Sequence, residues 1–170
     1  MPFPAKCIAN EFLKIAKEKG DALTPMKLQK LVYFAHGWYL ALTGQPLISE
    51  RIEAWQYGPV IPALYHEFKV FGNDPITASA TDFHLEDGKA KFKPNTLDEC
   101  GADKEEIDKV KSLIARVYDV YGPFTAVRLS NSTHMQGSPW QQVYKDGVKR
   151  LAIPDEIIKN YFQGLATTKP

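Results

Sequence analysis

Few features of this sequence point to a specialised chemistry. It has only two cysteines, Cys7 and Cys100, far apart in the chain. They match no metal-ligand spacing and call for no disulfide, so a reducing cytoplasm is the natural setting. Net charge is almost absent: 21 Lys and Arg stand against 20 Asp and Glu, a formal +1. Such a balance lacks the basic field of a nucleic-acid-binding protein. No apolar run approaches the ~20 residues that would span a bilayer. The opening MPFPAKCIANEF has no basic stretch followed by an apolar block, so no secretory signal is expected. Histidines 36, 66, 84 and 134 are scattered, none at i, i+4 from another, and no glycine-rich phosphate loop is present. No metal and no cofactor are therefore expected. Repeats and internal linkers are also missing, and 170 residues suit one domain, 1–170, able to bury roughly 70% of its unfolded surface.

What the chain does have is a long apolar helix at its centre, from Thr24 to Gly44. Thr24 is placed to cap it, Pro25 fits the first helical position, Gly44 suits a left-handed stop, and Pro46 blocks continuation. Leu28, Leu31, Val32, Phe34, Ala35, Trp38, Tyr39 and Leu42 cover more than one stripe, so neighbours are expected on several sides. An amphipathic helix from near Pro4 to Lys19 precedes it, joined by a link too short for anything but a close neighbour.

Beyond Gly44 the pattern turns extended. Ile48–Tyr57 is expected to be a loop entering a short strand, with Gly58-Pro59 as a turn and Pro62 starting a helix that ends at Gly72. Asp87-Gly88 between alternating runs predicts a hairpin pairing Thr81–Glu86 with Lys89–Lys93. Asp103 caps a helix ending at Gly122-Pro123, with Glu106 completing a box-like start. Shorter helical pieces follow at Phe124–Leu129 and, after Ser138-Pro139, at Trp140–Tyr144. Leu151-Ala152-Ile153 is expected to pair with Ile52–Trp55, and a last helix opens at Pro154, with a frayed tail from Thr167 to Pro170. The fold class is mainly α (α+β): a compact helical domain around a buried central helix, with a small antiparallel β element.

Candidate chemistry is sparse. Ser130, Ser132 and Thr133 adjoin His134, which leaves a hydrolase-like reading of the 130–134 segment with His134 as base, but no nucleophile elbow accompanies them. Glu50, Glu53 and Glu67 could meet in space, or be ordinary solvated carboxylates. His36, flanked by aromatics, is expected to be a hydrogen-bonded structural histidine. Trp55, Tyr57, Tyr65 and Trp140 stand out because they lie beside turns and prolines. They either close the core or form a partner-binding patch, since Tyr and Trp dominate interface hot spots.

One family gathers these residues together. Lys27-Leu28-Gln29-Lys30-Leu31 with Tyr33-Phe34, then Pro46-Leu47, Glu53-Ala54-Trp55, Tyr57-Gly58-Pro59-Val60, Leu64-Tyr65 and Gly72 form one block. Leu129-Ser130, Thr133-His134 and Pro139-Trp140 form a second. The pattern resembles the Panacea domain, the SocA-like antitoxin family that includes phage-associated GepA-like proteins. The resemblance implies a mainly helical bacterial protein that neutralises a cognate toxin, either by direct contact or as an adaptor delivering it to an ATP-dependent protease. An accessory phage function without a toxin is the alternative it leaves. No N-terminal DNA-binding module is recognisable, so operator binding is not expected.

Overall fold

The computed structural model describes residues 1–167, and the tail positions 168–170 lie outside it. The first helix, α1 (Ala5–Glu18), turns its Ile8, Ala9, Phe12 and Ala16 inward. Its N-terminus is held by a residue far along the chain: Glu50 accepts the Ala5 N–H at 2.8 Å. Beside it, Phe3 exchanges main-chain hydrogen bonds with Leu47 and Ser49.

Helix α2 (Pro25–Thr43) is the centre of the molecule. Thr24 Oγ1 accepts the Lys27 N–H and Gly44 closes the helix in the left-handed region, as the sequence predicts. Around it pack α1, α3 (Pro62–Phe68), α4 (Lys104–Tyr121), α5 (Ala126–Thr133) and α7 (Asp155–Thr167). One face fits α7 through a notch at Gly37. The Phe162 ring lies so near that a Cβ on residue 37 would come within 2.2 Å of it. Phe162 is edge-on to Tyr33, Phe34 and Trp38, while Phe34 stacks on Tyr121 at 4.2 Å. Leu42 departs from expectation: it is exposed, on the outward side of a turn whose Leu40 is buried.

Two small sheets complete the architecture. β1 (Ile52–Trp55) lies between β2 (Gly58–Val60) and β5 (Leu151–Ile153), both antiparallel to it, the latter in the anticipated pairing. The turn falls at Gln56-Tyr57, not at Gly58-Pro59, which belong to β2. β3 (Thr81–Glu86) and β4 (Lys89–Pro94) form the Asp87-Gly88 hairpin in the predicted register. Its base is tied to α1: Asn10 bonds both Ala80 and Asn95, and Lys6 bonds the Thr81 carbonyl and Asp82. Its outer part stands in solvent, with Phe83 against Phe92 on one side. The helical piece expected at Phe124–Leu129 begins later, because Thr125 rather than Phe124 caps it, and it runs on to Thr133. α6 (Pro139–Val143) starts on the Ser138 cap as expected.

Candidate functional site: a hairpin turn held from within

Side-chain hydrogen bonds from three different helical segments converge on the β1–β2 turn and its flanks. β2 is an edge strand, and its outer edge faces α2 rather than water. Gln29, buried, pairs with Ile61 as a second strand would. Its Nε2 donates to the Ile61 carbonyl at 3.0 Å and its Oε1 accepts the Ile61 N–H at 2.9 Å. Next along α2, Lys30 is 2% exposed. Its ammonium donates to the carbonyls of Pro59 at 3.0 Å and Tyr57 at 3.2 Å, with no carboxylate partner among the described residues. Burial pushes this amine down to about 8.

A donor-only group inside the protein explains the residues opposite it. An N–H at position 59 would point at the ammonium along the same strand edge, and proline has none to present. Gly58 has φ +114°, and a Cβ there would sit 2.7 Å from Lys30 Nζ and 2.9 Å from Thr133 Oγ1. The Gly-Pro pair that reads as a turn is therefore the strand facing a buried lysine.

From the other side come the side chains of the second block. Ser130 Oγ donates to the Tyr57 carbonyl at 3.1 Å. Trp140 Nε1 donates to the Trp55 carbonyl at 2.6 Å. His134 donates from Nδ1 to the Ser130 carbonyl at 2.6 Å, and its Nε2 stands 3.5 Å from the Gln56 carbonyl. Four carbonyls of the turn and its flanks, from residues 55, 56, 57 and 59, thus face side chains brought in from α2, α5 and α6. This geometry gives the 130–134 segment a structural use. The Ser130 hydroxyl is turned to a carbonyl, and His134 faces the main chain of Ser130 rather than its hydroxyl.

Of the aromatic candidates, Trp140 belongs to this frame and the others sit on its outer side. Glu53 anchors Trp55: its Oε1 accepts the indole N–H at 3.0 Å, while Arg51 holds Oε2 through Nε and Nη2. Burial would raise the Glu53 carboxyl, but these donors hold it below the usual range. Trp55 packs edge-on to Tyr65 at 4.8 Å, and Tyr65 against His66 at 5.4 Å. Trp140 stacks on Tyr144 at 4.5 Å and leans on His134 at 4.1 Å. Tyr57 is 67% exposed and Tyr65 43%. Trp55 and Trp140 are half-buried, so the four candidates divide into two anchors and two outward rings. Glu50, Glu53 and Glu67 do not share a site. Glu50 holds the α1 N-terminus, Glu53 holds Trp55, and Glu67 accepts the Thr81 N–H and pairs with Lys6.

Sequence reasoning missed Gln29 and Lys30, Tyr144, and the strand role of Gly58. Two adjacent polar residues within the apolar run Leu28–Ala35 of α2 were the available signal. His36 is as anticipated: Nδ1 accepts the Leu47 and Ile48 N–H groups at 3.3 Å, and Nε2 donates to Asp155 at 2.8 Å. Cys7 is buried, and burial pushes its thiol up to about 12. No group of His, Cys, Asp and Glu among the described residues could hold a metal ion. None of their helices is long and apolar enough to cross a membrane.

The residues of this frame lie within the stretch over which the chain matches a known family. The family described as "Antitoxin SocA-like, Panacea domain" matches residues 28–141, which begin in α2 just before Gln29 and end just after Trp140. The chain belongs to that antitoxin family. It is 29% identical over 163 residues to Antitoxin SocA of Caulobacter vibrioides (strain NA1000 / CB15N), covering 94% of this chain and 82% of that protein. No solved structure matches it. The Panacea match thus spans α2, the β1–β2 turn and the α5–α6 clamp.

Proposed function

We propose that this SocA-like protein is a one-domain cytoplasmic antitoxin that neutralises a cognate toxin by direct contact, through Tyr57 on the clamped turn and Tyr65 on the neighbouring α3. Trp55 and Trp140 act as the anchors beneath them. The supporting observation is that the turn's carbonyls are held from inside while two tyrosine rings stay in water. A surface ordered before association has little entropy left to lose on binding. Aromatic rings with polar tips are also the side chains that dominate interface energies.

The test is a set of single alanine changes at Trp55, Tyr57, Tyr65 and Trp140, read for melting temperature, toxin binding and rescue of growth. Tyr57→Ala and Tyr65→Ala are expected to lose roughly 30-fold or more in affinity, about 2 kcal/mol, at an unchanged melting temperature. Trp55→Ala and Trp140→Ala are expected to lose both together. Full affinity in the two tyrosine variants would place the toxin elsewhere. Neutralisation through an ATP-dependent protease would appear as a shortened toxin lifetime in cells, and direct contact as inhibition with purified components.

A further inference from the structure

A basic loop borders the aromatic patch. It runs from Lys145 to Arg150, between α6 and β5. Its place is fixed from two sides. The rings of His134, Trp140 and Tyr144 form a row, at 4.1 and 4.5 Å, that leads from the turn to the residue just before Lys145. On the far side β5 pairs Leu151 with Ala54, so the next position in that register puts Arg150 in the row of Trp55. Trp55 in turn packs on Tyr65 at 4.8 Å.

Lys145, Lys149 and Arg150 are exposed, and their side chains enter no ion pair and no hydrogen bond among the described residues. The cations nearest in sequence or strand differ: Arg51 is taken by Glu53 and Lys159 by Glu156. Against the three stands one carboxylate of the loop, Asp146, while Glu53 is already matched by Arg51. The balance beside the rings is therefore positive. The backbone of Arg150 adds a second observation. Its φ is +62°, in the left-handed region where glycine is the default and a long side chain is disfavoured. Gly147 makes the same excursion at φ +75° with the residue that suits it. Glycine would serve the chain better at position 150 too, so what the arginine supplies there is its guanidinium. Within the protein that charge reaches the Glu53 carboxyl, which Arg51 and Trp55 already hold.

We propose that Lys145, Lys149 and Arg150 are the charged half of the toxin-contact surface, and that the toxin meets them with a carboxylate-rich patch. The proposal rests on the reading of Tyr57 and Tyr65 as the aromatic half. Guanidinium and carboxylate match as a two-pronged pair. Exposed charges of this kind add little to affinity but steer encounter and fix which partner is accepted. A nucleic acid is the poorer fit: the whole chain carries a formal +1, and Trp140 and Tyr144 are stacked on each other rather than held open for bases.

Two probes test it: octaglutamate, followed by amide chemical-shift mapping, and the purified toxin of the rescue assay, followed by stopped-flow kinetics. Octaglutamate at low salt is expected to shift residues 145–150 before any other exposed basic site. That binding should fall at least tenfold in Arg150→Gly and in Lys145→Glu/Lys149→Glu. Arg150→Gly should melt at or above the parent's temperature, since glycine relaxes the left-handed backbone. Both loop variants are expected to associate with the toxin at least tenfold more slowly at low salt, a difference that high salt erases. Tyr57→Ala and Tyr65→Ala should instead dissociate faster. Loop variants that bind octaglutamate and meet the toxin as the parent does would overturn the proposal, whatever the tyrosine variants do. Slowed association in the loop variants with parental dissociation in the tyrosine variants would keep the loop and overturn the reading of the two rings. Oligothymidylate bound more tightly than octaglutamate, and lost in the loop variants, would assign the loop to a nucleic acid and overturn the proposal as well.

Discussion

Lys30 sets the chemistry of the frame at the scale of single residues. Its amine is at about 8 in the folded protein against an ordinary 10.5. Between those values the unfolded chain holds a proton that the folded chain has released, so stability rises with pH across that window. From pH 7 to 9 this group contributes a rise on the order of 1 kcal/mol. Neutral Lys30 keeps two N–H groups, enough for both carbonyls. The Cys7 thiol works in the opposite sense above pH 9, since burial keeps it protonated in the fold. Urea unfolding at pH 7 and 9 of the parent and Lys30→Met isolates the effect. The variant is expected to be less stable at both pH values, and the rise should vanish. An equal rise in the variant would assign it to another group. Gly58→Ala meets the same amine from the other side, with an unfavourable φ as well, and is expected to cost roughly 1–3 kcal/mol of stability in a urea melt. Neither Lys30 nor Gln29 was legible as a buried group, because a sequence shows a polar side chain without its partner. The partners here are carbonyls, which every residue has.

For the elements, the helices were legible and β2 was not, for different physical reasons. Helix ends carry their own chemistry: Thr24 and Gly44 for α2, Asp103 for α4 and Ser138 for α6 lie where caps and stops are read. The β3–β4 register followed from Asp87-Gly88 alone. A three-residue strand made of Gly, Pro and Val has no period to read, and its outer edge is paired by side chains of a helix. Of the site candidates, the four aromatics were visible by their place beside turns, while their division into anchors and outward rings depends on Glu53 and on the Trp140 indole. The α2–α7 contact gives a prediction with an unusual sign. Gly→Ala inside an exposed helix stabilises by about 1 kcal/mol, whereas Gly37→Ala is expected to lower the melting temperature, since its Cβ would enter the Phe162 ring. Phe162→Ala should cost about 3–5 kcal/mol by denaturant unfolding. Replacing residues 83–92 by a tight turn is expected to change the melting temperature little, because those side chains lie in solvent.

Considered as one molecule, the protein assembles its candidate site from both ends of the family match: Lys30 from the early chain, Ser130, His134 and Trp140 from the late chain. That arrangement has a consequence in time. The hydrogen bond from Trp140 to Trp55 joins residues 85 positions apart. At the usual ~5–20 residues per second of synthesis, the turn waits roughly 4 to 17 s between its own emergence and the arrival of its last clamp. Lys30 and Gln29 are made before the turn and can meet it at once, so the nascent site is half built during that interval. A chain stopped at Gly122 carries both outward tyrosines and none of the late clamps. It is expected to show neither a cooperative melt nor toxin rescue, and rescue by such a fragment would mean that the turn needs no clamp. On the proposed reading, in which the clamped turn is the surface that meets the toxin, that surface closes only in the last third of translation, and each new molecule spends several seconds as a chain that cannot yet shield the cell.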